Sequence, residues 1–210
     1  MAVQLLDQWL EKEQERLCQV YEDLNAVSFK EPDIIFLGDS MVEYYPLGEL
    51  LETSKQMVNR GIRGYSTDKL VENFERLLAG TCLDKIVILI GTNDIGKGIP
   101  TSETVENLER IFQTVFQTYP LVEIYLVSVL PVHEGTAYQT TVHIRNNQAI
   151  QHLNQAYQDL AQSFVQVHYL DVYNHFLDEN GQLKPNFTTD GLHLTVAGYV
   201  ELSRLLQKYL

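Results

Sequence analysis

The sequence of 210 residues predicts a doubly wound, three-layer α/β/α fold around a five-stranded parallel sheet. Three observations lead there. Short apolar runs alternate with amphipathic helical patterns along the chain, the signature of strands joined by helical crossovers. The runs at 86–90 (IVILI) and 124–129 (IYLVSV) are apolar on both faces or nearly so, as strands covered by helices above and below must be. Punctuation is spread evenly, with no repeat, linker or low-complexity tract. At this length, with about 45% apolar residues, a single domain over 1–210 is expected.

The first element is helical. Leu6, Leu10, Leu17, Tyr21 and Leu24 recur at helical spacing, predicting a long amphipathic helix within residues 1–30 that packs on or beside the core. Strands are expected at 34–37, 56–59, 86–90, 124–129 and 165–170, the first running into a helix-like segment that stops at Pro46. Between them, Leu70, Phe74, Leu77 and Leu78 come after the cap candidates Ser66 and Thr67. Val105, Leu108, Ile111, Phe112 and Val115 come after Pro100-Thr101, and Ile150, Leu153, Tyr157, Leu160 and Phe164 mark a further helix. Val196, Tyr199, Val200 and Leu206 close the chain. Right-handed crossovers place functional residues beyond the carboxyl ends of the strands.

Charge and cysteine usage narrow the function. Fifteen Lys and Arg against 28 Asp and Glu leave a formal charge of −13, which repels nucleic-acid phosphates and anionic lipid. No apolar run approaches the ~20 residues of a membrane span. Cys18 and Cys82 stand far apart in no metal-ligand spacing and read as free thiols of a reducing compartment. The N-terminus shows no basic flank before an apolar stretch, so the cytosol is the expected location and the Asn186-Phe187-Thr188 sequon is incidental. No metal site is expected.

The predicted strand ends are chemically loaded. Gly38-Asp39-Ser40 comes after the first strand, Arg60-Gly61-Ile62-Arg63-Gly64 after the second and Gly91-Thr92-Asn93-Asp94 after the third, while Asp190-Gly191-Leu192-His193 precedes the last helix. Together these are the parts of an acyl-transfer site. A serine hydroxyl needs a base, and Ser40 with His193 fits those roles. An imidazole base needs a carboxylate to fix its tautomer, and Asp190 is three residues away on the same turn. Charge developing on the carbonyl oxygen needs aimed donors, which the Ser40 amide, the Gly64 amide and the Asn93 side-chain nitrogen can supply. Singly, each motif has a plain structural reading as turn, backbone punctuation or loop brace; joint occurrence in order at strand ends favours the chemical one. Asp39 and Asp94 read as braces, Tyr44 and Tyr45 as wall or packing residues, and His133, His143, His152, His168 and His175 as structural or solvated.

The blocks GDSM, NRGIRG, GTND and DGLH resemble those of the SGNH, or GDSL-type, hydrolase family, over roughly Asp33 to the C-terminus. "IIFLGDSMVEYY" with "GLHLTVAGYVELSRLL" is most similar to its platelet-activating factor acetylhydrolase catalytic-subunit branch. That resemblance implies a flavodoxin-like sheet, Ser40 as nucleophile, Gly64 and Asn93 as oxyanion donors, Asp190 and His193 completing a triad, and no cofactor. It further implies a small-molecule ester substrate with a short, acetyl-type acyl chain, and it points to a homodimer. One departure is Tyr65, where family members often carry an acid after the second-block glycine.

Three rivals stand beside this reading. Gly91-x-x-x-x-Gly96-Lys97 nearly matches a phosphate-cradling loop, but Gly98 stands where Ser or Thr should hold Mg²⁺, and the next helix caps come only at Thr101 and Ser102. A ligand-binding module without catalysis would keep the fold, and an acyltransferase would use the same residues with an alcohol as acceptor. The loops at 95–100, 131–141 and 173–189, with Tyr138 and Phe187, are expected to frame the pocket.

Overall fold

The computed structural model describes residues 2–28 and 31–210, the side chains of 2–6 excepted. The chain runs α1 (Ala2–Val27), β1 (Ile34–Gly38), α2 (Ser40–Glu43), α3 (Leu47–Leu50), β2 (Met57–Gly61), α4 (Thr67–Leu77), β3 (Lys85–Leu89) and α5 (Thr92–Lys97). It continues through α6 (Thr101–Thr118), β4 (Glu123–Val127), α7 (Gln139–Val142), α8 (Asn147–Gln162), β5 (Val167–Leu170) and α9 (Val196–Leu206). All five strands are parallel, in the order β2-β1-β3-β4-β5. The chain therefore leaves β1 toward one edge and returns past it to β3, which opens a crevice between the carboxyl ends of β1 and β3.

Alternation along the strands sorts the core into two layers, because successive side chains point to opposite faces. Ile35, Leu37, Ile86, Ile88, Ile124 and Leu126 join Leu70, Phe74, Ile111, Phe112, Ile150 and Tyr157 from α4, α6 and α8. Ile34, Phe36, Val87, Leu89 and Val127 join Met41, Leu47, Tyr199, Leu202 and Leu206 from α2, α3 and α9. At the sheet's upper edge Gly38 pairs in register with Gly61. A Cβ on Gly38 would lie 2.0 Å from the Leu89 carbonyl oxygen, and one on Gly61 2.2 Å from the Glu43 amide nitrogen. The missing side chains let α2 lie directly across the strand ends.

Several boundaries and faces differ from expectation. β2 begins one residue late and runs through Arg60 and Gly61, because Arg60 is buried under α1, where its guanidinium donates to Asn25 Oδ1 at 2.6 Å and lies 4.9 Å from the Tyr21 ring. β5 begins only at Val167, and Val165 is exposed in the turn before it. The inward stripe of α1 is Leu10, Gln14, Leu17, Cys18 and Tyr21, with Cys18 fully buried and Leu24 facing out; Leu6 lies outside the described side chains. In α9 the buried face is Tyr199, Leu202, Ser203 and Leu206, which leaves Val196 and Val200 exposed. Among the described residues no helix is long and apolar enough to cross a membrane.

Candidate active site

Ser40 opens α2 directly after β1. Asp39 caps that helix, its Oδ1 accepting from the Met41 amide at 2.8 Å, and is buried. Burial pushes the Asp39 carboxyl up to about 7; the Met41 hydrogen bond opposes this and the nearby Asp94 carboxylate adds to it. The acid of the GDS block is thus a structural cap for the turn that presents the serine.

Across the crevice the segment before α9 brings up the histidine. His193 Nε2 lies 3.0 Å from Ser40 Oγ, and His193 Nδ1 lies 2.6 Å from Asp190 Oδ2. Asp190 Oδ1 also accepts from the amides of Leu192 and His193, at 3.0 and 2.8 Å. Burial raises the Asp190 carboxyl, but the His193 ring and these two amides outweigh it and hold the group below its ordinary value. The turn itself is fixed by the Gly191 amide on Thr188 Oγ1 at 3.0 Å and the His133 amide on the Gly191 carbonyl at 2.8 Å. Tyr44 covers the outer side of the imidazole, ring centroids 5.6 Å apart, while Tyr45 is buried against Tyr199.

The second and third blocks meet through the main chain. Gly64, with φ of 76°, closes the turn after β2 in a backbone conformation that favours glycine. Its two neighbours are each tied to another part of the site: the Arg63 amide and guanidinium donate to Glu43 on α2, and the Tyr65 carbonyl accepts from Asn93 Nδ2 at 2.9 Å. Gln14 of α1 donates to the Arg63 carbonyl at 2.8 Å. Tyr65, the departure from the family pattern, turns its ring away from the site into the core beside Cys18. Asp94 braces α5 to α4 by accepting from the Thr67 amide and hydroxyl.

The phosphate-loop alternative fails on shape. The next helix, α6, begins only at Thr101, as the caps predict, and the interior of the motif is itself helical, with α5 spanning Thr92–Lys97. That segment is therefore helix instead of an open anion cradle, and Lys97 is turned onto Ser66 Oγ at 2.8 Å.

A small, largely apolar cavity is lined by Asp39 and Met41, the chain neighbours of Ser40, with Thr92, Val129, Leu130, Pro131 and Leu192. Its far wall is held by α8, where Asn154 pairs with both the amide and carbonyl of Val129 and Asn147 with those of Val132. Of the three loops expected to frame the pocket, only the 131–141 loop contributes to this lining, through Pro131. Tyr138 packs over Gly191, and Phe187 packs on Phe176 in the lower core layer.

Sequence reasoning missed Glu43 and Arg145. Glu43 sits three residues after Ser40, one helical turn on, a spacing that does carry a signal. Arg145 lies in a segment with no motif, and its contacts with Thr92 and Asn93 join residues 53 and 52 positions apart.

A family model described as GDSL-like lipase/acylhydrolase matches residues 36–200. The chain belongs to that family. The matched span takes in all four sequence blocks, and membership makes the chain a hydrolase of carboxylic esters. Among its relatives is the human platelet-activating factor acetylhydrolase IB subunit alpha1, 26% identical over 186 residues, covering 86% of this chain and 76% of that protein. A solved Streptococcus pneumoniae structure, provisionally described as a platelet activating factor, is 56% identical with a TM-score of 0.98, covering 100% of this chain and 98% of its own. A Bacteroides fragilis chain provisionally described as an acylhydrolase shares the fold at 24% identity and a TM-score of 0.74, over 91% of this chain and 94% of its own.

Proposed function

We propose that this GDSL-family hydrolase is a serine esterase that cleaves short-chain, acetyl-type carboxylic esters through an acyl-enzyme on Ser40. The observation that carries the reading is the unbroken relay from Ser40 Oγ to His193 Nε2 at 3.0 Å and from His193 Nδ1 to Asp190 Oδ2 at 2.6 Å. With its proton on Nδ1, donated to Asp190, the imidazole keeps a free lone pair on Nε2 to accept the serine proton. Ser40 Oγ attacks the ester carbonyl as His193 takes that proton, and His193 then returns it to the departing alkoxide. Water repeats the sequence on the acyl-enzyme and releases the acid.

The tetrahedral intermediate places negative charge on the former carbonyl oxygen. The Ser40 amide at the start of α2, the Gly64 amide and Asn93 Nδ2 are the proposed donors. Their joint placement is supported by the ties from Glu43 to Arg63 and from Asn93 to Tyr65, which bracket Gly64 from the two sides. Short acyl chains are supported by the acetylhydrolase relatives.

Steady-state rates on p-nitrophenyl esters from acetate to octanoate test the reading. The expected profile peaks at acetate and falls with each added pair of methylenes, and Ser40→Ala removes the activity. A flat or rising profile contradicts the acyl assignment, and transfer of the acyl group to an added alcohol in preference to water would make the chain an acyltransferase.

A further inference from the structure

Arg145, in the turn between α7 and α8, sends its guanidinium into the crevice wall. Nε donates to the Thr92 carbonyl at 2.9 Å and Nη2 to Asn93 Oδ1 at 2.9 Å, while Nη1 reaches the Thr141 and Val142 carbonyls at 3.3 and 3.4 Å. All four contacts end on neutral oxygens. Asn93 in turn spends one of its two amide hydrogens on the Tyr65 carbonyl at 2.9 Å.

A carboxamide has nearly the same shape when turned over, so packing alone does not decide which end faces the reacting atoms. Here charge decides. Turning Asn93 over would set its NH₂ against the guanidinium, donor to donor, and its oxygen against the Tyr65 carbonyl, acceptor to acceptor. In the observed orientation both contacts are satisfied and one N–H remains for a ligand. A cation on Oδ1 also draws density from the amide and makes that remaining N–H a stronger donor.

We propose that Arg145 is a positioning residue for ester cleavage, holding the Asn93 carboxamide with its nitrogen toward the oxyanion and strengthening the N–H that meets it. This rests on the reading of Asn93 as an oxyanion donor. It also accounts for Gly96, the second glycine of the segment that resembled a phosphate loop. A Cβ at 96 would lie 2.3 Å from both Cζ and Nη2 of Arg145 and 2.8 Å from Nη1. The absence of a side chain at 96, in the last turn of α5, leaves the guanidinium its place.

The test is a double-mutant cycle on p-nitrophenyl acetate, with kcat and KM measured separately for Arg145→Met, Gly96→Ala, Asn93→Ala and each of the first two combined with Asn93→Ala. Arg145→Met is expected to lower kcat by ~10- to 100-fold with KM changed by less than about threefold, and Gly96→Ala to lower kcat in the same sense by moving the guanidinium. In the Asn93→Ala background either substitution should change kcat by less than about twofold, since groups acting through one another are not additive. A merely structural Arg145 would cost the same in both backgrounds, and that additivity overturns the inference, as does wild-type kcat in Arg145→Met. Gly96→Ala carries the same cycle where Arg145→Met does not fold. If Asn93→Ala loses ~10²- to 10³-fold while the cycle is additive, only the role of Arg145 fails. If Asn93→Ala keeps the wild-type rate, the oxyanion reading fails and the inference with it.

Discussion

Glu43 receives both the backbone amide and the guanidinium of Arg63, the latter through Nε at 2.8 Å, and so fastens the turn carrying Gly64 to the helix carrying Ser40. The carboxylate is mostly buried, so the contact is shielded from solvent screening on the Glu43 side. Glu43→Ala frees that turn without touching the nucleophile or its base. A loss of ~10- to 100-fold in kcat is expected, the scale of misplacing a positioned group by about an ångström. Stopped-flow acylation rates would check it, and an unchanged rate would show that the Gly64 turn holds its shape without this tie.

Asn93→Ala removes the proposed side-chain donor to the oxyanion and should lower kcat by ~10² to 10³, the weight of one such donor. Because the interaction forms mainly in the transition state, KM should move little. A loss confined to KM would assign Asn93 to ground-state binding instead.

Leu192 stands at the cavity wall next to His193. Leu192→Ala should move the preferred acyl chain from acetate toward butyrate or hexanoate, at a folding cost of ~2–5 kcal/mol for truncating a buried leucine. A p-nitrophenyl ester series reads the first and urea denaturation the second. An unaltered acetate preference would place the acyl chain elsewhere.

Asp39 ties stability to pH. Burial pushes its carboxyl from an ordinary 3.8 up to about 7, so between about pH 4 and 7 the native state keeps a proton that the unfolded chain has released. Proton binding by the native state alone means that stability falls as pH rises through this window and levels off above it. Three pKa units correspond to about 4 kcal/mol. Asp39→Asn keeps an oxygen for the Met41 amide and carries no charge, so it should flatten that part of the slope. Urea midpoints at pH 5 and pH 8 decide it; equal slopes in both proteins would remove Asp39 as the titrating group.

The fold was legible where burial on both faces left no alternative. The runs 86–90 and 124–129 read as interior strands, and β3 (Lys85–Leu89) and β4 (Glu123–Val127) stand there, ending one and two residues earlier than expected. Legibility failed where a polar residue is buried or an apolar one exposed. Arg60 extends β2 because Asn25 and the Tyr21 ring of α1 meet its guanidinium, a tertiary circumstance without a local signal. Val196 and Val200 read as core by type, yet the α9 stripe is set by Tyr199, Leu202 and Leu206. Of the proposed site, Ser40, Gly64, Asn93, Asp190 and His193 stand out in the sequence because each sits in a block at a strand end or before the last helix. Arg145 was not, because its role exists only through contacts to residues more than fifty positions away.

The central claim is that Ser40 is the nucleophile activated by His193, and covalent trapping tests it most directly. Intact-mass analysis after treatment with a fluorophosphonate ester should show one phosphonyl adduct, formed with loss of fluoride and mapped by peptide sequencing to Ser40, with adduct formation slowed in His193→Ala and absent from Ser40→Ala. An adduct on another residue, or full ester turnover by Ser40→Ala, would contradict the account.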